Sequence, residues 1–191
     1  MNWYCDYADD RPPHDVYHQT EYGFPKTDER DLFEIFALEI FQPGLSWDLI
    51  LKKRATTFEA FEGFDVDRVA AYGERDKARL LSNPGIIRNK LKVEAIIHNA
   101  RVIVDMRTDH GGFANWLKTH HPRNRRAWVK LFKKTFKFTG PEVTNEFLMC
   151  IGYLPGAHRD DCHVQKKIAK AKPPWTQVDP TIYETDRSEN T

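Results

Sequence analysis

The spacing of apolar positions along the chain predicts helices almost throughout. From Asp31 to about Gln42 the apolar residues recur at helical intervals, with Thr27 or Asp28 placed to cap the start and Pro43-Gly44 to end it. A second helix is predicted over Ser46 to about Phe61, a short third over Asp65 to Ala71, and a fourth over Glu74 to Leu81, stopped by Ser82-Asn83-Pro84-Gly85. Asn89 to about Arg107 reads as one long amphipathic helix, with Leu91, Val93, Ile96, Ile97, Ala100, Val102, Ile103 and Val104 apolar. Shorter helices follow over Phe113–Thr119 and Arg125–Lys133, then Pro141–Ile151, where proline suits an early helical position, and 164–172. Residues 1–27 read as irregular, and the chain from Pro173 onward as a loose tail. Few stretches alternate with period two, so the expected class is all-α, with one domain over residues 1–172 and a flexible tail over 173–191.

Composition changes this picture little. The 191 residues are 40% hydrophobic and 30% charged, a balance that suits a soluble globular domain with a real core. No apolar run approaches the ~18 residues of a membrane helix, and nothing reads as a signal peptide. Three cysteines is an odd count and argues against a disulfide scaffold, so a cytoplasmic protein is expected. The charge distribution is more informative than the net charge of +1. Acids dominate the first 40 residues. Between His110 and Pro141 there is no carboxylate, while Lys118, Arg123, Arg125, Arg126, Lys130, Lys133, Lys134 and Lys137 fall there. Such a segment suits a phosphate-bearing partner or a solvated basic face.

Three features carry candidate chemistry. On a helical wheel with Leu32 at the origin, Ile35, Phe36 and Ile40 lie within about 80°, and Glu39 falls about 20° away, inside the apolar arc. Glu34 and Asp31 fall outside it. An inward carboxylate is costly unless paired, so Glu39 is either bridged to an arginine or lines a pocket, with Tyr17, Tyr22, Phe41 and Trp47 near it in sequence. The second feature is Cys5, His18, His158 and Cys162, two sulfurs and two nitrogens of the kind that hold structural zinc. H-x3-C alone is a weak signal, and His163 is a competing ligand. The third is Leu80 to Lys90, which reads as helix, Pro-Gly hairpin, helix. This is either an ordinary turn or a helix-hairpin-helix whose backbone N–H groups grip phosphate, with Arg88, Lys90 and Lys92 beside it. No nucleophile elbow, P-loop or dinucleotide-binding glycine pattern stands out.

Together these residues resemble the 3-methyladenine DNA glycosylase I family. The resemblance runs from Cys5 to Cys162. It rests on Leu38-Glu39 followed by Gln42-Pro43-Gly44-Leu45-Ser46-Trp47, on Asn83 to Asn89 with Ala95-Ile96-Ile97-His98-Asn99-Ala100-Arg101, on Phe136-Lys137-Phe138-Thr139-Gly140, and on the Cys5/His18/His158/Cys162 set, which is similar to that family's zinc snap. It implies a two-lobed helix-hairpin-helix fold, with the hairpin lobe at about residues 45–110, one structural zinc, and monofunctional excision of 3-methyladenine from alkylated double-stranded DNA. The base would be flipped into a pocket formed by Tyr17, Tyr22, Trp47, Ile40 and Gln42, with Glu39 accepting from its exocyclic amine. Asn83, Pro84, Gly85, Ile86, Arg88 and Lys90 would meet the DNA backbone, free 3-methyladenine would be the product, and a monomer is expected.

A 3-methylated purine is cationic, so it departs as a neutral leaving group without strong acid catalysis, and water is the expected nucleophile. No lysine is placed for a Schiff base. The sequence departs from the family pattern at Ile40 (usually glycine), Pro43 (alanine), Tyr22 (tryptophan) and Met149 (glutamine). These departures leave room for a diverged member, or for a DNA-binding module whose pocket Ile40 blocks.

Overall fold

A computed structural model describes residues 3–184. No strand occurs among the described residues. In chain order the α-helices are α1 (Tyr4–Ala8), α2 (His14–Thr20), α3 (Glu29–Phe41), α4 (Trp47–Ala60), α5 (Val66–Ala70), α6 (Glu74–Ser82), α7 (Lys90–His110), α8 (Phe113–His120), α9 (Arg125–Thr135), α10 (Pro141–Cys150), α11 (Gln165–Ala171) and α12 (Thr181–Glu184). The cap expected at Asp28 forms, and four further helix starts are capped in the same way. Asp28, Ser46, Asp65, Asn89 and Asn124 each accept from a backbone N–H three residues on, at 2.9–3.3 Å.

Helix α3 lies at the centre. Every residue from Leu32 to Phe41 is buried, so beyond its first turn this helix has no solvent face. Phe36 is its hub, with ring centroids 4.9 Å from Phe147, 5.0 Å from Phe136, 5.9 Å from Phe132 and 6.0 Å from Phe113. These rings bring α8, α9, α10 and the loop after α9 onto one side of α3. A second, smaller apolar cluster joins the two ends of the chain: Cys5 from α1 packs with Cys162, Val164 and Ile168, against Trp3 and Phe24.

Two expectations are corrected. Among the described residues of the stretch expected to be irregular, α1 and α2 form, and only the remainder is irregular. Helices of five and seven residues show too little periodicity to be read from sequence and are too short to persist alone, so contacts with the rest of the fold hold them. The chain from Pro173 is laid back against the body as far as Glu184. Trp175 donates its N–H to the Gly152 carbonyl at 3.2 Å, and the Tyr183 hydroxyl meets His121 Nε2 at 3.0 Å. Gly152 permits this approach: its φ is +75°, and a Cβ there would lie 2.6 Å from that of Pro173. The part of the expected flexible tail beyond Glu184 lies outside the described residues.

Candidate active site

The burial of α3 leaves Glu39 little contact with water. It is 3% exposed, and its Oε2 has no hydrogen-bond partner. Burial pushes its carboxyl well above the ordinary carboxylate range, and Glu146 on α10 pushes it further in the same direction. Aromatic rings crowd this neighbourhood. Tyr17 from α2 lies 5.8 Å from Tyr22 and 5.3 Å from Trp47, centroid to centroid, and Tyr4 from α1 presents its edge to both tyrosines. The Tyr17 hydroxyl contacts Cys150 Sγ at 3.2 Å, and the Tyr22 hydroxyl donates to Glu146 Oε2 at 3.1 Å. Both tyrosines are held in the neutral form, first by burial.

The structure gathers Tyr17, Tyr22 and Trp47, and Glu39 lies near enough to both tyrosines to push their hydroxyls upward. Ile40 is fully enclosed in the main core, and Gln42 is the half-buried C-cap of α3, its N–H donating to Leu38 at 3.1 Å. Cys150 is buried and belongs to this ring-lined neighbourhood as well.

Glu146 was not anticipated. Its burial pushes its carboxyl upward, and Tyr22 works against that shift. The signal was present, because Val143, Glu146 and Cys150 stand at i, i+3 and i+7 on α10. Also missed was a polar chain behind the rings. The Tyr4 hydroxyl meets buried His14 Nδ1 at 2.8 Å, and His14 Nε2 faces Asp48 Oδ1 at 3.4 Å, beside Trp47. Glu34 corrects the wheel. It is buried rather than outward, and Arg54 from α4 neutralises it at 2.7 Å while making two further hydrogen bonds to Glu21. The arginine-bridged carboxylate considered for Glu39 is found instead at Glu34.

Cys5, His18, His158 and Cys162 are all buried, and one ligand atom from each lies within 4.8 Å of the others. The separations are 3.1 Å between His158 Nδ1 and His18 Nε2, 3.6 Å from Cys162 Sγ to each of those nitrogens, and 3.7 Å from Cys5 Sγ to His158 Nδ1. A tetrahedron with Zn–N near 2.0–2.1 Å and Zn–S near 2.3 Å has edges of about 3.3–3.8 Å, so the set has the right size. The outward nitrogens fit too. His158 Nε2–H donates to the Tyr22 carbonyl at 2.7 Å, which leaves the inward Nδ1 as a lone pair. His18 Nδ1 faces Asp9 Oδ1 at 3.4 Å without a formed hydrogen bond. Lone pairs and sulfurs converging in a dry space fit a cation at their centre. His163 is exposed and outside the set of four; its Nδ1 lies 3.7 Å from Asp9 Oδ2.

The hairpin joins α6 to α7. Gly85 donates its N–H to Asn83 Oδ1 at 2.8 Å, and a Cβ on it would come within 3.1 Å of the Thr56 Cβ. Lys53 and Thr56 of α4 fix the turn by donating to the carbonyls of Pro84 and Gly85 at 2.7 and 2.6 Å. Ile86 is buried beneath the turn, while Pro84, Arg88 and Lys90 are exposed. Lys92 is a correction. It adds no surface charge, because it is 4% exposed and its Nζ donates to the carbonyls of Phe41 and Pro43 at 2.7 Å each, closing the C-terminus of α3. Among the described residues no helix is long and apolar enough to cross a membrane.

The profile of the methyladenine glycosylase family matches residues 7–129. The chain is 34% identical over 169 residues to DNA-3-methyladenine glycosylase 1 of Escherichia coli, covering 78% of this chain and 90% of that protein. It is 32% identical over 181 residues to DNA-3-methyladenine glycosylase of Haemophilus influenzae, covering 85% and 97%. A crystal structure of 3-methyladenine DNA glycosylase I superposes with a TM-score of 0.76 at 36% identity, covering 83% of this chain and 97% of that one. A structure from Staphylococcus aureus that describes 3-methyladenine recognition by the same enzyme superposes at 0.74 with 30% identity, covering 84% and 95%. The departures at Ile40, Pro43, Tyr22 and Met149 have not moved this chain outside that group, and it belongs to the methyladenine glycosylase family.

Proposed function

We propose that this protein excises 3-methyladenine from alkylated double-stranded DNA, releasing the free base and leaving an abasic site. The observation that carries the reading is Glu39: a carboxyl sealed among aromatic rings, with one oxygen lacking any partner. The exocyclic amine of an extruded 3-methyladenine would donate to that oxygen, and the cation would favour the ionised carboxylate that burial alone disfavours. Tyr17, Tyr22 and Trp47 offer π faces to a cationic ring, which selects it over neutral adenine. Glu146 adds a second buried carboxyl, linked through Tyr22, whose ionised form the cation would likewise favour. The glycosidic bond of the cationic base is weak, so these residues act by orienting the base and excluding bulk water while a water attacks the sugar. Ile40 and Gln42 would form the floor beneath the base.

Backbone grip is assigned to the hairpin, through Asn83, Pro84, Gly85, Ile86, Arg88 and Lys90, within a lobe of about residues 45–110 inside one domain of residues 1–172. One structural zinc on Cys5, His18, His158 and Cys162 would clip the two ends of the chain together. Four protein ligands leave no open position, so the ion supplies stability and no chemistry. A cytoplasmic monomer fits this role.

One feature favours the alternative of a member that binds DNA without excision. Glu39 is 3% exposed, so a base reaches it only after the rings part, and Ile40 adds bulk next to it in the chain. Incubation with methylated duplex separates the two: free 3-methyladenine in the supernatant supports excision, and tight binding without release supports the alternative.

A further inference from the structure

The segment from Phe136 to Gly140 takes no part in the Glu39 pocket, the hairpin or the metal set. Its middle residue, Phe138, is a large aromatic left 40% exposed, and its φ of +61° lies in the left-handed region that side chains rarely adopt. The flanking residues enforce that conformation. Asn99, from the middle of α7, donates to the Lys137 carbonyl at 3.0 Å and accepts the Lys137 N–H at 2.8 Å. Thr139 is buried and donates to the Phe136 carbonyl at 3.2 Å, and Phe136 itself packs into the aromatic hub. Neighbours on both sides are tied down, and the ring between them stands out. That is a pre-organised contact side chain, with little left to order when a partner arrives.

Its surroundings define the partner. Phe138 and Pro43 line one cleft of about 640 Å³, together with Lys133, Arg125 and the acidic Glu142. The Lys92 ammonium that closes α3 lies 5.7 Å from the Phe138 centroid. Two residues beyond Pro43, Leu45 lines a second cleft with Pro84, Ile86, Ile87 and Arg88 of the hairpin. The ring, the exit of α3 and the hairpin thus lie on neighbouring clefts. Lys130, Lys133, Lys134 and Lys137 are exposed on α9 and its following loop, within the span that carries no carboxylate. An exposed ring between lysines is the arrangement that binds nucleic acid, with the cations on phosphates and the π face on a base.

We propose that Phe138 stacks on a nucleobase of the bound duplex beside the extruded nucleotide, while Lys133 and Lys137 meet the adjoining phosphates. This rests on the reading of the chain as a protein that works on duplex DNA. It adds a contact at the exit of α3, in the cleft next to that of the hairpin, one that would hold the duplex open while the lesion is in the pocket.

The test measures the affinity of full-length protein for a duplex carrying a stable abasic-site analogue, by fluorescence anisotropy across a salt series, and its affinity for free 3-methyladenine by calorimetry. Phe138→Ala is expected to weaken duplex binding roughly 10- to 100-fold without changing the slope of log Kd against log salt, because no charge is removed. Lys137→Ala is expected to reduce that slope by about 0.9. Phe138→Trp should restore the affinity lost in the alanine variant, and free-base binding should be the same in all of them. Duplex affinity within twofold of the unaltered protein for Phe138→Ala, or a loss that Phe138→Trp fails to restore, overturns the stacking contact. Failure of the unaltered protein to bind free 3-methyladenine counts against the pocket reading instead, and the Phe138 result on the duplex is read independently.

Discussion

Removing the metal set should cost this protein up to about as much stability as truncating one of its largest core side chains. The perturbation is Cys162→Ser, or exhaustive chelation of the unaltered chain. The four ligands come from α1, α2 and the turn before α11, so an ion on them closes a loop running from residue 5 to residue 162. A crosslink closing a loop that long removes about 5 kcal/mol of unfolded-chain entropy, taken as an upper value. For a chain of this size each kcal/mol shifts the melting temperature by about 2–4 °C, so the fall should be roughly 10–20 °C. Metal analysis of purified protein should return about one zinc per chain, and scanning calorimetry reads the melting temperature before and after chelation. His163→Ala is the matched control, being outside the set, and should leave both readings unchanged. A metal-free protein that melts within about 3 °C of the untreated one, within the effect of a single surface change, refutes the clip.

Other consequences follow from the same structure. Glu39 and Glu146 have their carboxyls pushed upward on folding, so the folded chain holds their protons more tightly than the unfolded chain does. That stabilisation is complete below the ordinary glutamate value of about 4.3 and is lost as pH rises through the folded values. Glu39→Gln should therefore melt at an increasingly higher temperature than the unaltered protein as pH is raised from 5 to 8, and a constant gap contradicts the buried, unpaired carboxyl. Lys92→Met removes two buried donors from the end of α3 and should cost about 2–4 kcal/mol in urea unfolding, with no change expected from Lys90→Met on the surface. Arg54→Ala leaves Glu34 buried without its cation and should destabilise by roughly 3 kcal/mol, while Glu34→Gln with Arg54→Ala recovers part of the loss.

Much of the fold was legible because local signals and tertiary structure agree. Asp28, Ser46, Asp65 and Asn89 announce helices in sequence and cap them in the structure. Glu39 was legible because a charged residue inside an apolar arc violates the helical pattern, and such violations mark function. The same wheel misplaced Glu34, since it assumes a helix with one wet face and α3 beyond its first turn has none. The compensation at Glu34 is Arg54, twenty residues later on another helix, and periodicity does not carry that information. Lys92 read as surface charge for the same reason: its acceptors are carbonyls about fifty residues earlier in the chain. The polar chain through Tyr4, His14 and Asp48 joins three elements, two of them too short to register as helices. The metal ligands were suggested by residue type and resemblance, and their convergence required the fold.

The central claim is that a sealed carboxyl among rings receives an extruded, cationic purine. Its most direct test is the rate at which free 3-methyladenine appears from methylated duplex DNA, measured for the unaltered protein and for Glu39→Gln at equal, saturating enzyme. Loss of a charge-assisted hydrogen bond worth about 1.5–3 kcal/mol predicts release slowed roughly 10- to 150-fold, with duplex binding retained. Equal release rates for the two proteins, or no release by the unaltered one, would contradict the account.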